Sequence, residues 1–344
     1  MTSMDRGSAP GRPHAGRATL ADVARLADVS TKTVSRALSG ALNVDPGTRA
    51  KVQHAAAALR FRPNALAREL RTGGVTNTVG FVIGDLTNPF YTLVAAGVER
   101  VLARAGIRML IAATEDEADR EATVVGALLE QRIRALLLVP IAADHGYLEG
   151  ERQFGTPIVA VDRPLANAVS DSVVFDNRAG ARAGVLALLA AGHRRIAFVG
   201  SSESLYTHRE RLAGYRDALE SHGLVVEPRL VRTDGPDISS ATWATAHLLA
   251  GADPPDAVFA GNNRAAIGAL QGAHGHADPI GLLGFDDFEL AAALGISVVA
   301  HDPQRMGEVA TELALRRAEE PMGVVEQVVL PTQVVLRGSE AHMS

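Results

Sequence analysis

Residues 27–38 read ADVSTKTVSRAL, a stretch that predicts a short helix with two unlike faces. At about 100° per residue, Val34, Ala37 and Leu38 fall on one narrow arc of that helix. The opposite, broader arc carries short polar and basic side chains, those of Thr31, Lys32, Ser35 and Arg36. We therefore expect one side of the helix to pack against a core and the other to present a polar, basic surface.

The flanking residues place this helix second in a group of three. Thr19 is suited to cap a first helix, and Asp28 is a turn residue that tolerates a left-handed backbone. Ser30 caps the second helix, and Asp45 followed by Pro46 opens a third. Two short helices joined by a tight turn, with a basic face on the second, predict a helix-turn-helix that places its second helix in the DNA major groove.

Charge is divided unevenly along the chain. Through residue 74 there are 12 Lys+Arg and 5 Asp+Glu, whereas the remainder holds 22 basic and 34 acidic side chains. A basic module on an acidic body is typical of nucleic-acid binding, because phosphate contacts supply most of the non-specific affinity. The absence of cysteine excludes disulfides and cysteine-ligated zinc. No apolar run is long enough to span a membrane, so we expect a soluble, cytoplasmic protein.

The longer part of the chain has the pattern of layered α/β domains. Helical runs separate nearly all of its short β-rich runs, which predicts parallel sheets with helices on both faces. The length favours two doubly wound lobes over one wide sheet, so the expected fold is a small all-α DNA-binding domain plus a bilobed α/β domain. The predicted strands are residues 78–83, 108–112, 135–139, 157–161, 195–200, 256–260 and 280–285, with a last β-rich stretch at 327–336.

Polar and aromatic residues follow several of these strands. Ligands of parallel sheets bind beyond the carboxyl ends of the strands, so these residues are the candidates for a binding site. Their carboxylates, amides and guanidinium groups suit adjacent hydroxyls or an anionic group, and their rings can stack on a ligand. The candidates are Asn88, Phe90, Tyr91, Asp162, Arg163, Arg209, Arg211, Asn262 and Asp286.

Six motifs occur in one order along the chain: TLADVARLADVSTKTVSRAL, RPNALARELRT, NTVGFVIGDLTNPFY, HRERLAGY, GNNRAAIGAL and LLGFDDF. Together they resemble the lactose-repressor (LacI/GalR) family of bacterial transcription regulators, from Thr19 to Gly338. The resemblance implies a periplasmic-binding-protein architecture with a small-molecule effector in the cleft between two lobes. It also implies a homodimer, most simply a repressor, on a near-palindromic double-stranded operator under allosteric control.

The resemblance assigns roles to single residues as well. Thr31 and Lys32 match positions that read bases, and Arg36 matches a further major-groove contact. After the Arg-Pro-Asn sequence the family has a hinge helix, in which Leu70 would wedge into the minor groove beside Arg71. The residues expected to contact or flank DNA are Thr31, Lys32, Thr33, Ser35, Arg36, Ser39, Asn64, Leu70 and Arg71. His301 joins the effector-site candidates because it stands where many relatives have glutamine.

Departures from the family pattern bear on the effector. Asn263 replaces a common aspartate, and Arg264 and His301 add possible positive charge, which favours an acidic sugar or a sugar phosphate over a neutral sugar. Stacking from Phe90 and Tyr91 suits a purine-like corepressor equally well. The sequence therefore leaves open whether the effector releases DNA or promotes its binding.

An α/β enzyme with a DNA-binding appendage is the rival function. The chain contains no G-x-G-x-x-G, G-x-x-x-x-G-K-[ST], G-x-S-x-G or H-E-x-x-H motif. We therefore expect no catalytic residues, no cofactor and no bound metal.

The domain boundaries follow from these motifs. The effector domain is expected to have an N-lobe at about 78–161 and 290–320 and a C-lobe at about 163–288 and 322–336. The short tail leaves no room for a leucine heptad, which favours a dimer over a tetramer. In order, the segments are a disordered leader (1–18), the helix-turn-helix domain (19–62), the hinge helix and linker (63–74), the bilobed domain (75–338) and a tail (339–344).

Overall fold

The computed structural model describes residues 18–39, 41, 43–61, 76–234, 237–276, 278–321 and 323–341. The chain divides into two compact units, Met1–Gly74 and Val75–Ser344. The leader and the hinge segment, with Asn64, Leu70 and Arg71, lie outside the described residues, and their expected roles stay predictions.

The described part of the first unit contains three helices: α1 (Leu20–Ala27), α2 (Thr31–Leu38) and α3 (Pro46–Ala58). The predicted caps are all present. The Thr19 hydroxyl accepts a hydrogen bond from the Asp22 backbone, and the Asp22 carboxylate accepts one from the Thr19 backbone. Asp28 has a left-handed φ of 55°, as its turn requires. Local side-chain chemistry thus sets where these helices begin and end.

The three helices pack around a small aliphatic core. Val23, Val34 and Val52, one from each helix, are fully buried together with several alanines. At the starts of α2 and α3, Ser30 accepts a hydrogen bond from the Thr33 backbone at 3.1 Å and Asp45 accepts one from the Thr48 backbone at 2.9 Å. These contacts hold α2 with its polar side away from the core.

The second unit contains two sheets. In its described residues the strands are β1 (Thr78–Ile83), β2 (Arg108–Ala113), β3 (Ala135–Leu138), β4 (Ile158–Val161), β5 (Asp171–Phe175), β6 (Ile196–Val199), β7 (Val231–Arg232), β8 (Ala257–Ala260), β9 (Gly281–Phe285), β10 (Ser297–Ala300), β11 (Gln327–Leu330) and β12 (Gln333–Val335). The first sheet has the order β11-β5-β4-β3-β1-β2 and is parallel throughout. The second has the order β12-β10-β9-β8-β6-β7, and β12 is its antiparallel edge.

Helices cover both faces of each sheet. They are α4 (Pro89–Ala105), α5 (Ala118–Leu129), α6 (Glu149–Gln153), α7 (Asn177–Ala190), α8 (Tyr206–Ser221), α9 (Ile238–Leu249), α10 (Asn263–Ala273) and α11 (Pro303–Glu319). In β1, Phe81 packs in the core shared with α4 and α11, whereas Val82 packs in the core shared with α5. In the second sheet, α7 and α8 cover one face and α9 and α10 the other. The predicted doubly wound architecture is confirmed.

The expected lobe boundaries were wrong in three places. The chain crosses between the sheets near residues 176, 301 and 331, so β5 and β11 belong to the first sheet and β10 to the second. The sequence-based ranges had placed β5 and β11 in the C-lobe and residues 290–300 in the N-lobe. Because β5 and β10 are short and lack a strong flanking signal, the pattern missed both. Only Pro331 and Thr332 separate β11 from β12, so the sequence-based ranges assigned both strands to the same lobe.

Candidate functional site

A cavity of about 340 Å³ lies between the two lobes, at the carboxyl ends of their parallel strands. Ligands of parallel sheets bind beyond the carboxyl ends of the strands, so this cavity is the expected binding site. The lining residues are Asn88, Phe90, Tyr91, Asp116, Ala118, Ile141, Asp162 and Arg163 from the first lobe, and Ser201, Ser202, Ser204, Leu205, Thr207, His208, Arg211, Asn262, Arg264 and Asp286 from the second.

Eight of the ten predicted effector-site residues line this cavity, and Arg209 and His301 do not. Arg209 is exposed on α8 and lies over the Tyr206 ring, 5.6 Å from its centroid. It sits two positions from Arg211 on a helix, so the two side chains point to nearly opposite faces. His301 lies behind Asp286 and stacks on the Phe175 ring at 4.0 Å between centroids.

Two aspartates occupy matching places in the two lobes. Asp162 directly follows β4 with a φ of 72°, and Asp286 directly follows β9 with a φ of 71°. Each backbone N–H still donates to the neighbouring strand, at 2.8 Å to Val173 and 3.0 Å to Val299. Aspartate is among the few residues that tolerate this left-handed conformation. The turn ends each strand and leaves a carboxylate in the cleft wall.

Arg211 is the buried centre of the second lobe's wall. Its guanidinium lies 3.2 Å from Asp286 Oδ1, donates to Asn177 Oδ1 at 2.8 Å and to the Gly261 carbonyl at 2.7 Å, and stands 3.8 Å above the Phe285 ring. Burial by itself raises the pKa of Asp286, but the Arg211 charge and the His301 hydrogen bond outweigh burial and hold that pKa below its usual range. Asp286 is therefore an ionised, oriented acceptor.

Arg163 forms the corresponding pair in the first lobe. It donates to Asp162 Oδ2 at 2.8 Å and to the Tyr91 hydroxyl at 3.2 Å, and all three side chains are buried. Burial raises the pKa of Tyr91, so the phenol stays neutral and can donate a hydrogen bond. Each lobe thus presents an aspartate–arginine pair to the cavity, with the two charges balanced.

His208 is a lining residue that the sequence reasoning missed. Burial, together with the charges of Arg211 and Arg163, lowers its pKa to about 3. The neutral ring accepts a hydrogen bond at Nδ1 from the Ser201 backbone at 3.2 Å. A signal was present, because His208 and Arg211 are three residues apart and therefore share a helix face.

Asp116 is the second missed residue. It follows β2 in a turn where Glu115 and Asp116 both have left-handed backbones, with φ of 59° and 56°. It lines the cavity, and its carboxyl group accepts no hydrogen bond from the described residues. Burial raises its pKa, although the charge of Arg163 opposes this shift. The sequence TEDEAD around it is typical of a solvated acidic turn, so it does not indicate that one of its carboxylates faces the cavity.

Arg264 and His301, the two side chains that favoured an acidic ligand, already have partners within the protein. Arg264 lines the cavity, but its guanidinium is bonded to the Asp85 carboxylate of the opposite lobe. His301 Nε2 lies 2.8 Å from Asp286. The sequence-based argument for an anionic effector therefore loses its physical basis.

The DNA-reading candidates lie on the predicted side of α2. Thr31, Lys32, Arg36 and Ser39 are exposed, and Thr33 and Ser35 are half-buried. Thr33 and Ser39 also support the helix ends: the Thr33 hydroxyl lies 2.8 Å from that of Ser30, and the Ser39 hydroxyl donates to the Arg36 carbonyl at 3.1 Å. Across the part of the chain that the structure describes, no helix is long and apolar enough to cross a membrane.

Comparison with known proteins agrees with this geometry. A family described as "Bacterial regulatory proteins, lacI family" matches residues 19–64, and one described as "Periplasmic binding proteins and sugar binding domain of LacI family" matches residues 76–282. The ribose operon repressor of Haemophilus influenzae is 30% identical over 329 residues, which cover 94% of this chain and 98% of that protein.

Solved structures show the same architecture. A lac repressor dimer bound to operator and the anti-inducer ONPF has 25% identity and a TM-score of 0.82, over 94% of this chain and 99% of that chain. A complex of the transcriptional regulator CelR with cellobiose has 28% identity and a TM-score of 0.71, over 94% of this chain and 100% of that chain.

Proposed function

Because this chain belongs to the lacI family of bacterial regulatory proteins, we propose that it is a transcriptional repressor controlled by a sugar bound in the cleft. Its family consists of DNA-binding regulators, which sets aside the enzyme alternative. We expect the protein to act in the cytoplasm, because that is where its operator DNA lies.

The cleft wall is the observation that carries the choice of effector. Sugar hydroxyls both donate and accept, and the cavity offers carboxylate acceptors beside fixed guanidinium donors in the pairs Asp162–Arg163 and Asp286–Arg211. Phe90 and Tyr91 supply an apolar surface against which a sugar ring can pack. Arg163 and Arg211 are already paired with Asp162 and Asp286, and Asp116 adds a further carboxyl group that has no ion-pair partner among the described residues. We therefore favour an uncharged sugar over a sugar acid or a sugar phosphate.

We assign the DNA contacts to the exposed side of α2. Thr31, Lys32 and Arg36 read bases in the major groove, while Thr33, Ser35 and Ser39 contact or flank phosphate. Asn64, Leu70 and Arg71, outside the described residues, keep the hinge and wedge roles that the family resemblance implies. Allosteric coupling between cleft and operator is typically ~1–3 kcal/mol, enough to change operator occupancy roughly 5- to 150-fold.

We further propose that the functional form is a homodimer. A dimer places two recognition helices about one DNA turn apart on a near-palindromic site. Large apolar side chains are exposed on both lobes, including Leu86, Leu93 and Ile111 on the first and Leu290 and Leu294 on the second. The related lac repressor is a dimer on its operator.

A paired ligand and DNA experiment tests this function. The protein is screened by thermal shift against neutral sugars, sugar acids, sugar phosphates and purines. Each compound that raises Tm is then tested for its effect on the binding of a DNA duplex that the protein has selected from a random library. We expect a neutral sugar to raise Tm and to release the duplex. A compound that raises Tm and tightens DNA binding instead would make this a corepressor-dependent regulator, and stabilisation only by purines or phosphorylated sugars would refute the proposed effector class.

A further inference from the structure

Five polar side chains join the two lobes beside the cavity. Arg264 is bonded to the Asp85 carboxylate and donates to the Thr87 hydroxyl at 2.9 Å, and Asn263 donates to Asn88 Oδ1 at 3.2 Å. Asp85, Thr87 and Asn88 follow β1 in the first lobe, whereas Asn263 and Arg264 begin α10 in the second. We call these five residues the lobe latch.

The first-lobe half of the lobe latch is ordered by contacts within its own lobe. Asp85 Oδ1 accepts hydrogen bonds from the Thr87 backbone at 2.7 Å and from the Thr87 hydroxyl at 2.8 Å. Asn88 Oδ1 accepts one from the Phe90 backbone at the start of α4, at 3.1 Å. Because Asp85 and Asn88 are positioned before the lobes meet, ordering of the Arg264 side chain is the main loss of rotamer entropy when the latch forms.

Arg264 lies at an unfavourable position on its helix and forms its ion pair with a carboxylate of the opposite lobe. It is the second residue of α10, where the partial positive charge of the helix dipole disfavours a cation. Asp85 offsets this repulsion. Burial alone would raise the Asp85 pKa, but hydrogen bonds from Thr87 and Arg264 keep that pKa lowered, so the carboxylate is ionised. Arg264 is thus more stable when the lobes are together than when they are apart.

We infer that the lobe latch is a conformational device that favours the arrangement in which the cavity is enclosed between the lobes. Rotation of the lobes about their three chain crossings has to separate Arg264 from Asp85. Asp85 does not line the cavity, so its replacement changes the lobe equilibrium without removing a wall group. On the proposed function, the latch also affects effector affinity. The apparent affinity of the protein for its effector falls when a smaller fraction of the molecules is in the binding-competent arrangement.

Distance measurement between spin labels tests the latch without any ligand. The chain has no cysteine, so Ala143→Cys and Ser239→Cys, at exposed positions of the first and second lobes, provide the only two labels. In this background we expect Asp85→Asn to increase the ratio of long to short interlobe distances about two- to fivefold, the range for a partly exposed ion pair. Raising NaCl from about 0.1 to 1 M should likewise favour long interlobe distances in the protein with the intact latch. It should leave the distances in Asp85→Asn unchanged.

A matched variant separates the latch from a general loss of charge. Arg229→Gln breaks an ion pair with Asp253 that lies wholly within the second lobe at 2.6 Å, and we expect it to leave the distances unchanged. Combining Asp85→Asn with Arg264→Gln should give no larger shift than either change alone. Unchanged distances in Asp85→Asn, or additive shifts in the double variant, would overturn the inference. Failure of every sugar to bind would count against the proposed function and would leave the distance result intact.

Discussion

Replacement of Asp286 by alanine leaves Arg211 as a buried cation without a carboxylate. Asp286 and Arg211 are 7% and 4% exposed, and their closest charged atoms are 3.2 Å apart. Breaking such a pair by removing one partner typically costs about 3–5 kcal/mol. Asn177 and the Gly261 carbonyl still accept hydrogen bonds from Arg211, which favours the lower end of that range. Alanine in the left-handed backbone of residue 286 adds about 1–2 kcal/mol, so we expect a loss of about 4–5 kcal/mol of unfolding free energy.

Thermal unfolding at neutral pH measures this loss. For a domain of this size about 1 kcal/mol corresponds to 2–4 °C, so Tm should fall by roughly 8–20 °C. Asp287→Ala is the matched control, because the neighbouring aspartate pairs with Arg337 at 2.8 Å but is more exposed, and its loss should cost below about 1 kcal/mol.

A double variant separates the charge from the packing. Adding Arg211→Met to Asp286→Ala removes the uncompensated cation. The double variant should therefore lose less unfolding free energy than the sum of the losses in the two single variants. Equal Tm values for Asp286→Ala and Asp287→Ala would refute the buried-pair reasoning.

Three further predictions concern pH and DNA. Below pH 6.5 the unfolded chain protonates His208 whereas the folded chain keeps it neutral to about pH 3, so acid should lower the unfolding free energy by about 1.4 kcal/mol per pH unit. His208→Gln should flatten this slope between about pH 6 and 4.5 in urea titrations, and parallel slopes would contradict a buried neutral histidine. Arg36→Ala should weaken binding to the selected duplex by about 1–3 kcal/mol in fluorescence anisotropy, with a smaller effect on random DNA, and an equal loss on both would exclude base reading. Leu70→Ala should weaken specific binding strongly and reduce DNA bending in a gel-shift phasing assay, and unchanged bending would exclude the wedge role.

Short-range features were readable from the sequence because short-range physics determines them. Thr19, Ser30 and Asp45 start helices through hydrogen bonds to backbone groups within three residues, and each cap was predicted. The strands that carry the cleft aspartates were also predicted, since buried parallel strands are continuous apolar runs. Most of the candidate site followed from the rule that ligands lie beyond the ends of such strands.

Pairings between distant residues were not readable. Arg264 and Asp85 are 179 positions apart, so no local pattern shows that the arginine is neutralised. His301 was placed in the wall because many relatives have glutamine at that position, yet it supports Asp286 from behind. Arg209 could have been excluded from the helical period alone, since Arg211 was already a candidate. The charge state of a cleft therefore depends on tertiary pairing that composition does not reveal.

The three chain crossings between the lobes determine how this protein can be recombined with its relatives. Exchange of one lobe for that of another regulator requires splices at all three crossings, because β10 and β11 each belong to a different sheet from the strands on one side of them. The DNA-reading unit, by contrast, is one continuous segment that ends at Gly74, so a single junction suffices to graft it. One recombination step can therefore join this DNA-reading unit to another effector unit, whereas an effector site that combines lobes of two regulators needs three.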